Sequence, residues 1–316
     1  RLSALADRLV EQVILMRPKI VLTVDNKGFS IRFAMRLRRR MKSVGWSAPI
    51  IHCVAPTVWA WGRWRVKKFA NILDGLLCLL PFEPDYFRHS HVDTHFIGHP
   101  EAFKNYEPKK LVIGGKSVSR RIVLLPGSRR SEIELILPEM LLAASILKQH
   151  DHRFTFVLPA LPPLLPLIQS YADGYDVDII EGTKDLISIL QSSTAMIATS
   201  GTVTLQAALS GTIGVTCYRT GRINAFIGRH LVDLERVILP NAILGRPLYP
   251  FFFQEKATGK ALASAILDVV EDRAATETLL GAASELKSLL TGNKATFSAL
   301  VVPALQNWLG PPINPA

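Results

Sequence analysis

The sequence predicts an α/β protein with two domains, each built from a parallel β-sheet covered by helices. Short runs of aliphatic and β-branched residues alternate with helical patterns along the chain, an order typical of parallel strands connected by helices. The chain has 316 residues, of which 48% are hydrophobic, and this is enough for two cores of moderate size. The same composition argues against a disordered chain.

Three buried strands and one helix are predicted in the first domain. The helix, over residues 29–44, repeats apolar residues every three or four positions and therefore has one face that packs on the sheet. Its neighbouring face is basic and is interpreted either as a solvated surface or as a contact for phosphate or lipid. The strands are expected at residues 20–24, 50–54 and 76–80, and the basic residues are Arg32, Arg36, Arg39 and Arg40.

A polar segment over residues 104–120, with two consecutive glycines, is predicted to be the linker between the domains. Residues 1–103 then form the first domain and residues 121–292 the second. Residues 293–316 contain an amphipathic helical pattern, and the sequence leaves open whether this helix crosses back to the first domain. The strands of the second domain are expected at residues 122–125, 154–158, 177–180, 195–198 and 214–218.

The charge balance predicts an anionic partner. Lys and Arg outnumber Asp and Glu by 37 to 26, giving a net charge of +11, so a phosphorylated substrate, an anionic lipid surface or a nucleic acid would be attracted. Nucleic acid is the least favoured of the three because no recognised reader motif is present. No apolar run reaches the length of about 18 residues that a membrane span needs. The cysteines are widely spaced and are expected to be buried thiols: Cys53, Cys78 and Cys217.

A group of tryptophan and basic residues follows the second strand and has two interpretations. Tryptophan and cationic side chains both suit the headgroup zone of a membrane. Tryptophans close together in sequence also fill cores, and the sequence does not separate these alternatives. The group consists of Trp59, Trp61, Trp64, Arg63, Arg65, Lys67 and Lys68.

Three histidines and an aspartate alternate as metal ligands do on a strand. No cysteine or further ligand motif supports zinc, so we expect a surface loop here and no metal site in the protein. The four residues are His89, His91, Asp93 and His95.

Two glycine-containing turns in the second domain predict an anion site. Gly127, Ser128 and Arg129 follow one strand and open a helix, and Ser200, Gly201 and Thr202 do the same before the helix over residues 203–209. A strand, a glycine turn and a helix together point unpaired N–H groups and the positive end of the helix dipole at one spot. Such a pair would suit the diphosphate of a nucleotide. The alternative is that the glycines are steric and the hydroxyls merely cap helices.

Asp25 stands directly after the first strand. Catalytic carboxylates of α/β folds are often found at this position. An acid here is also a common helix cap, and the position alone does not decide between the two roles.

Six ordered motifs together resemble one family, the lipid-A-disaccharide synthases, which are inverting glycosyltransferases of the GT-B type. Their order and separations match over most of the chain, which makes the resemblance specific although each motif alone is weak. The motifs are V-A-P-T-V-W-A-W at 54–61, L-P-F-E at 80–83, F-I-G-H-P at 96–100, L-L-P-G-S-R at 124–129, T-S-G-T at 199–202 and L-P-N-A-I-L-G-R at 239–246.

The resemblance implies an activity and a set of site residues. The family transfers a diacylated glucosamine from UDP-2,3-diacylglucosamine to 2,3-diacylglucosamine 1-phosphate, which gives a β-linked disaccharide and UDP without a cofactor or metal. Asp25 matches the acid proposed as the family's general base. His99 and Asn241 match motif positions near the cleft, with unassigned roles. The residues that match the UDP site are Gly127, Ser128, Arg129, Ser200, Gly201, Thr202 and Gln206.

The resemblance also implies a fold and a location. The fold would be GT-B, two Rossmann-like domains facing a cleft, with the first domain incomplete because family members carry a further N-terminal segment with a Gly-Glu-x-Ser-Gly-Asp loop. The enzyme would lie on the inner face of the bacterial inner membrane, as a peripheral protein of the cytoplasm. The oligomeric state is not implied.

The sequence departs from the family pattern in the first domain and at the nucleotide site. The family's Asp-x-Pro-Asp-Phe reads Asp-Asn-Lys-Gly-Phe at 25–29 here, and Gln206 replaces a usual Glu that suits ribose hydroxyls. These departures keep two alternatives open. One is another GT-B enzyme of UDP-sugars, such as a UDP-N-acetylglucosamine 2-epimerase. The other is an inactive chain that binds nucleotide or lipid.

Overall fold

The structure is a computed structural model, and it describes residues 2–60, 62–106, 120–182, 185–221 and 237–309. The chain divides into two compact units. Unit 1 comprises residues 1–103 and 288–316, and unit 2 comprises residues 104–287. Most of the predicted linker, residues 107–119, lies outside the described residues.

Unit 1 contains a four-stranded parallel sheet in the order β1-β2-β3-β4. Each strand pairs with the next one in sequence, so Val21 lies opposite Ile50 and Gly75 lies opposite Asp93. The carboxyl ends of all four strands therefore meet at one edge of the sheet. The elements are α1 (Leu2–Met16), β1 (Val21–Val24), α2 (Lys27–Ser43), β2 (Ile50–Cys53), α3 (Val66–Ala70), β3 (Gly75–Cys78) and β4 (Asp93–Phe96).

Unit 2 contains a six-stranded parallel sheet in the order β10-β9-β8-β5-β6-β7. Its strands are β5 (Arg120–Leu125), β6 (Phe154–Ala160), β7 (Asp178–Glu181), β8 (Ala195–Thr199), β9 (Ile213–Tyr218) and β10 (Phe251–Phe253). Its helices are α4 (Arg130–His150), α5 (Leu165–Ala172), α6 (Leu186–Ser192), α7 (Thr202–Leu209), α8 (Leu239–Leu244) and α9 (Gly259–Glu271), and α10 (Arg273–Thr291) runs across the boundary with unit 1.

Both faces of the unit 1 sheet are buried. Consecutive residues of a strand point to opposite faces, and each face packs against a different set of helices. Ile50 packs in a cluster with residues of α1 and α2, whereas Ile51 packs with the last helix, α11 (Ser298–Leu309). Trp308 of α11 lies so close to Gly75 that a Cβ there would overlap the indole ring. The apolar stripe of the last helix is thus packed on the unit 1 sheet.

The eight strands predicted from the sequence are present, each with its ends within two residues of the expected positions. Helix α2 begins at Lys27, two residues before its predicted start at Phe29. The α/β fold class with two parallel sheets is therefore confirmed. The elements that the sequence did not predict include α1, β4 and β10, which are short, exposed on one side or weakly patterned.

The prediction of a surface loop over residues 89–95 is wrong in part. Asp93 and His95 lie in β4, which pairs with β3, while His89 and His91 lie in turns. His95 contacts the edge of the Trp308 ring, with 5.0 Å between ring centroids. The alternation of these residues is typical of a strand, while the contact with Trp308 comes from a residue more than 200 positions away in sequence.

Candidate functional site

The two glycine turns of unit 2 lie on neighbouring strands at the point where the strand order reverses. From β5 the chain winds through β6 to β7 and then returns to β8 on the other side of β5. Leu125 and Ala198 are paired, so the turns that follow these two strands are adjacent at the carboxyl edge. Open α/β sheets bind ligands at such a reversal, because the crossover helices diverge there and leave a crevice.

The P-G-S-R turn after β5 holds a carboxylate of its own chain. Oε2 of Glu132 accepts hydrogen bonds from the N–H groups of Ser128 and Arg129 at 3.1 and 3.2 Å. Gly127 has a φ of 109°, and a Cβ there would stand 2.5 Å from the same oxygen. Glycine is thus required by Glu132 and by the backbone, in addition to any ligand.

The S-G-T turn after β8 is different, because no side-chain hydrogen bond caps the helix that it opens. The interpretation that Ser200 and Thr202 are merely caps of α7 is therefore wrong. Gly201 has a φ of 155° and a ψ of −167°, a conformation almost restricted to glycine. Gln206 lies one turn further along α7 and is half-buried.

The ends of β9 and β10 add residues to this edge that the sequence analysis missed. Arg219 pairs with Glu139 at 2.9 Å and donates from Nε to the carbonyl of Gln254 at 3.1 Å. Tyr218 has a raised pKa, mainly because it is partly buried and next because of the nearby Glu132 charge. The predicted strand over residues 214–218 ends at the Y-R-T-G stretch at 218–221. This position at the carboxyl edge of the sheet was the signal from which these residues could have been predicted.

Asp25 stands at the carboxyl end of β1, exposed, and it does not cap α2. That role belongs to Asn26, whose side chain accepts a hydrogen bond from the N–H of Phe29 at 3.3 Å. Asp25 and Asn26 have φ values of 50° and 40°, left-handed conformations that Asp and Asn adopt more readily than other residues with side chains. Because Asn26 makes the cap, the carboxylate of Asp25 stays exposed beside the helix start.

A strained residue follows β2, at the start of the V-A-P-T motif. Val54 has a φ of 77°, which is a rare conformation for a β-branched side chain. Lys27 bridges the two loops by donating to Oγ1 of Thr57 at 3.2 Å. Its pKa is lowered, first by burial, while the charges of Glu83 and Asp25 act in the opposite direction. Backbone strain of the kind found at Val54 is typical of functional sites.

Two buried titratable groups lie behind these loops. Burial raises the pKa of Glu83 to about 7, against the opposing effect of the N–H groups of Leu80 and Leu79 that its carboxylate accepts at 3.0 Å. Burial, followed by the nearby Lys27 charge, lowers the pKa of His52 to about 4. His52 Nδ1 lies 2.9 Å from Oγ1 of Thr23, and its Nε2 has no hydrogen-bond partner among the residues that the structure describes. His52 is therefore neutral near pH 7.

His99 and Asn241 have local structural contacts. Nδ1 of His99 accepts the N–H of Glu101 at 3.2 Å. Oδ1 of Asn241 accepts the N–H groups of Leu248 and Tyr249 at 2.9 and 3.2 Å, and its Nδ2 donates to the carbonyl of Tyr249 at 3.3 Å. Asn241 is buried, and these bonds hold the loop that follows α8.

Some basic residues of unit 1 form ion pairs within the chain, and the tryptophans differ in how far they are exposed. Arg36 pairs with Asp7 at 3.1 Å and Arg40 with Glu11 at 2.8 Å, both on α1, so the basic face of α2 is partly neutralised within the chain. Trp59 is 7% exposed and belongs to the core, whereas Trp64 is 77% exposed. Trp61 and the side chain of Arg63 lie outside the described residues.

None of the helices in the described part of the chain is long and apolar enough to cross a membrane. Among those same residues, no group of three or more His, Cys, Asp or Glu side chains is arranged to hold a metal ion.

Solved structures share this fold at low sequence identity. A protein from Listeria monocytogenes described as a UDP-N-acetylglucosamine 2-epimerase is 14% identical with a TM-score of 0.64, covering 99% of this chain and 80% of its own. A spinosyn rhamnosyltransferase complexed with thymidine diphosphate is 16% identical with a TM-score of 0.56, covering 96% and 76%. Two parallel-sheet units of this kind define the GT-B class.

Sequence comparisons give the family. The model of the lipid-A-disaccharide synthetase family matches residues 1–296. A lipid-A-disaccharide synthase of Burkholderia thailandensis is 34% identical over 93% of this chain and 76% of its own length. One from Anaeromyxobacter dehalogenans strain 2CP-C is 32% identical over 87% of this chain and 72% of its own. The chain belongs to the lipid-A-disaccharide synthetase family and is a glycosyltransferase of lipid A biosynthesis.

Proposed function

We propose that the chain transfers the sugar of UDP-2,3-diacylglucosamine to the 6-hydroxyl of 2,3-diacylglucosamine 1-phosphate. The products are lipid A disaccharide 1-phosphate and UDP. The observation that carries the donor half of this proposal is the pair of glycine turns at the strand reversal of unit 2. Family membership supports the acyl-sugar substrates over those of a UDP-N-acetylglucosamine 2-epimerase, with which the chain shares only the fold.

The nucleotide diphosphate is proposed to bind at both turns through different groups. The uncapped start of α7 offers the backbone N–H groups of Gly201 and Thr202, which suit an anion, whereas the N–H of Ser200 donates to the carbonyl of Cys217 at 3.2 Å. The N–H groups of Ser128 and Arg129 are already bonded to Glu132, so this turn contributes the Ser128 hydroxyl and the Arg129 guanidinium. Together they would stabilise the negative charge that grows on the leaving UDP. Gln206 is proposed to bond a ribose hydroxyl without charge assistance.

Asp25 is proposed as the general base that takes the proton of the acceptor hydroxyl as oxygen attacks the donor sugar. Its freedom from helix capping supports this role, because the carboxylate is exposed and Asn26 makes the cap. Lys27 stands where the family usually has proline.

We also propose that the enzyme binds an anionic membrane surface as a peripheral protein, on the cytoplasmic face of the inner membrane. Trp64, Lys67 and Lys68 are all exposed on one short segment, and tryptophan beside lysine suits the headgroup zone. Trp64, Phe82 and Tyr86 line a groove of about 800 Å³. The acylated substrates would be reached from such a surface.

The test is UDP release from UDP-2,3-diacylglucosamine with the acylated acceptor present, compared between the wild-type chain and Asp25→Asn. We expect kcat to fall by about 10²- to 10⁴-fold, the usual contribution of a general base, with UDP affinity unchanged. Asp176→Asn is the matched control, because Asp176 is an exposed acid outside the proposed sites and pairs with Lys148 at 3.0 Å.

Three results would count against parts of this proposal. Full activity of Asp25→Asn would remove the base assignment. Turnover of a UDP-sugar without acyl chains at the same rate would favour another enzyme of the GT-B class. UDP binding with no turnover by the wild-type chain would favour the alternative in which the chain only binds its ligands.

A further inference from the structure

The P-G-S-R turn contains an acidic side chain where an anionic ligand is expected. Oε1 of Glu132 lies 2.7 Å from Nη1 of Arg129, and Oε2 accepts the two N–H groups of the turn. The Glu132 side chain is 10% exposed, so its carboxylate lies within the turn. A carboxylate this close to a diphosphate would repel it unless its charge were compensated.

The geometry of Arg129 shows how that charge is compensated. The guanidinium is a planar fork with five N–H donors, of which Glu132 engages Nη1. The Arg129 side chain is 73% exposed, so its remaining donors are open to solvent. An arginine already anchored at one nitrogen loses less conformational entropy when a ligand binds to the others.

We propose that Glu132 is a positioning residue for the nucleotide diphosphate. It holds the Arg129 guanidinium by one nitrogen, so that the other donors meet the diphosphate in a fixed orientation. The inference rests on the proposed function, in which Arg129 contacts the leaving UDP. The functional unit is then the pair of side chains, with Glu132 acting only through Arg129.

A purely structural role predicts a different behaviour. Glu132 stands at the third position of α4 and bonds back to the N–H at the helix start, as in a capping box. If it were only a cap, replacing it would lower the melting temperature, and any effect on UDP binding would be independent of Arg129. Energetic coupling between the two residues in ligand binding separates these roles.

The experiment is calorimetric titration of UDP into the full chain and its variants Glu132→Gln, Arg129→Ala and the double variant. We expect each single substitution to weaken UDP binding about tenfold, the loss typical of one charged hydrogen bond. The double variant should bind no more weakly than Arg129→Ala. Glu134→Gln is the matched control: Glu134 is on the same helix, pairs with Arg130 at 3.2 Å and is exposed, so UDP affinity should stay within about twofold.

Arg129→Lys provides a test that does not disturb the helix start. Lysine keeps the charge but has no fork that can bond Glu132 and the diphosphate together. Arg129→Lys should therefore lose most of the UDP affinity that Arg129→Ala loses. The inference is overturned if Glu132→Gln binds UDP like the wild type, if its effect adds to that of Arg129→Ala, or if Arg129→Lys is neutral. If Glu132→Gln does not fold, Arg129→Lys decides. If Arg129→Ala itself binds UDP normally, the result contradicts the proposed function, in which Arg129 contacts the diphosphate, and not only the role of Glu132.

Discussion

The indole Nε1 of Trp59 donates a hydrogen bond to Oε1 of Glu83 at 3.3 Å, and both side chains are buried in unit 1. This bond joins the loop after β2 to the turn after β3. The other carboxylate oxygen of Glu83 accepts two backbone N–H groups of its own turn. The hydrogen bonds of Glu83 therefore connect the V-A-P-T-V-W-A-W motif, through Trp59, with the L-P-F-E motif.

Glu83→Gln should change how stability depends on pH above pH 4.5. The folded pKa of Glu83, about 7, lies above its ordinary value of 4.5, so the folded state keeps its proton where the unfolded state has lost it. The contribution of Glu83 is full below about pH 4.5 and is lost as pH rises to about 7. The total change is on the order of 3 kcal/mol.

Chemical denaturation at pH 5 and pH 8 measures this effect. The wild-type free energy of unfolding should fall more between these pH values than that of Glu83→Gln. Asp85→Asn, an exposed acid two residues away, should behave like the wild type. Equal pH dependence of Glu83→Gln and the wild type would contradict the raised pKa.

His52→Leu should change the acidic side of the same profile. The folded pKa of His52, about 4, lies below its ordinary value of 6.5, so the unfolded state takes up a proton first as pH falls. Stability is therefore lost as pH drops from about 6.5 towards 4. Leucine cannot take up a proton and is close in size, so the variant should lose less stability than the wild type over this range.

Thermal unfolding at pH 7 and pH 5 provides the measurement for His52. His150→Leu is the control because His150 is an exposed residue at the end of α4. A wild-type melting temperature that declines no faster than that of His52→Leu would contradict the lowered pKa of His52 in the folded state.

Gly75→Ala should destabilise unit 1 by crowding the last helix. A Cβ at this position would overlap the Trp308 ring and stand 2.8 Å from Cδ1 of Ile51. Overpacking of this kind usually costs about 1 to 3 kcal/mol, which denaturation would detect. Gly281→Ala, where a Cβ would meet nothing within 4 Å in the middle of α10, should be neutral or stabilising. In a Trp308→Ala background, Gly75→Ala should lower the free energy of unfolding by less than it does in the wild type, because only the overlap with Ile51 remains. An equal loss in both backgrounds would contradict the contact with Trp308.

Trp64→Ser should weaken binding to anionic vesicles several-fold. The indole is 77% exposed beside Lys67 and Lys68, and an aromatic ring at the membrane interface contributes to binding together with the basic charges. Sedimentation with anionic and with neutral vesicles is the measurement. Tyr175→Ser, which removes an exposed aromatic residue of unit 2, is the control. Equal binding of the wild type to both vesicle types would contradict the membrane proposal.

The sequence by itself determined the strands and the two glycine turns of unit 2, since hydrophobic runs and turn residues are local properties of the chain. It also located Asp25 at a strand end and gave the family through the order of six motifs. These features need no knowledge of which strands become neighbours.

Tertiary structure decided which of these residues come together. Asn26 rather than Asp25 caps α2, and Glu132 rather than a ligand accepts the N–H groups of Ser128 and Arg129. The reversal of strand order that brings the two turns side by side depends on the pairing of β5 with β8. Strand β4 is covered by Trp308. Each of these outcomes depends on side-chain geometry or on contacts distant in sequence, and local patterns do not encode either.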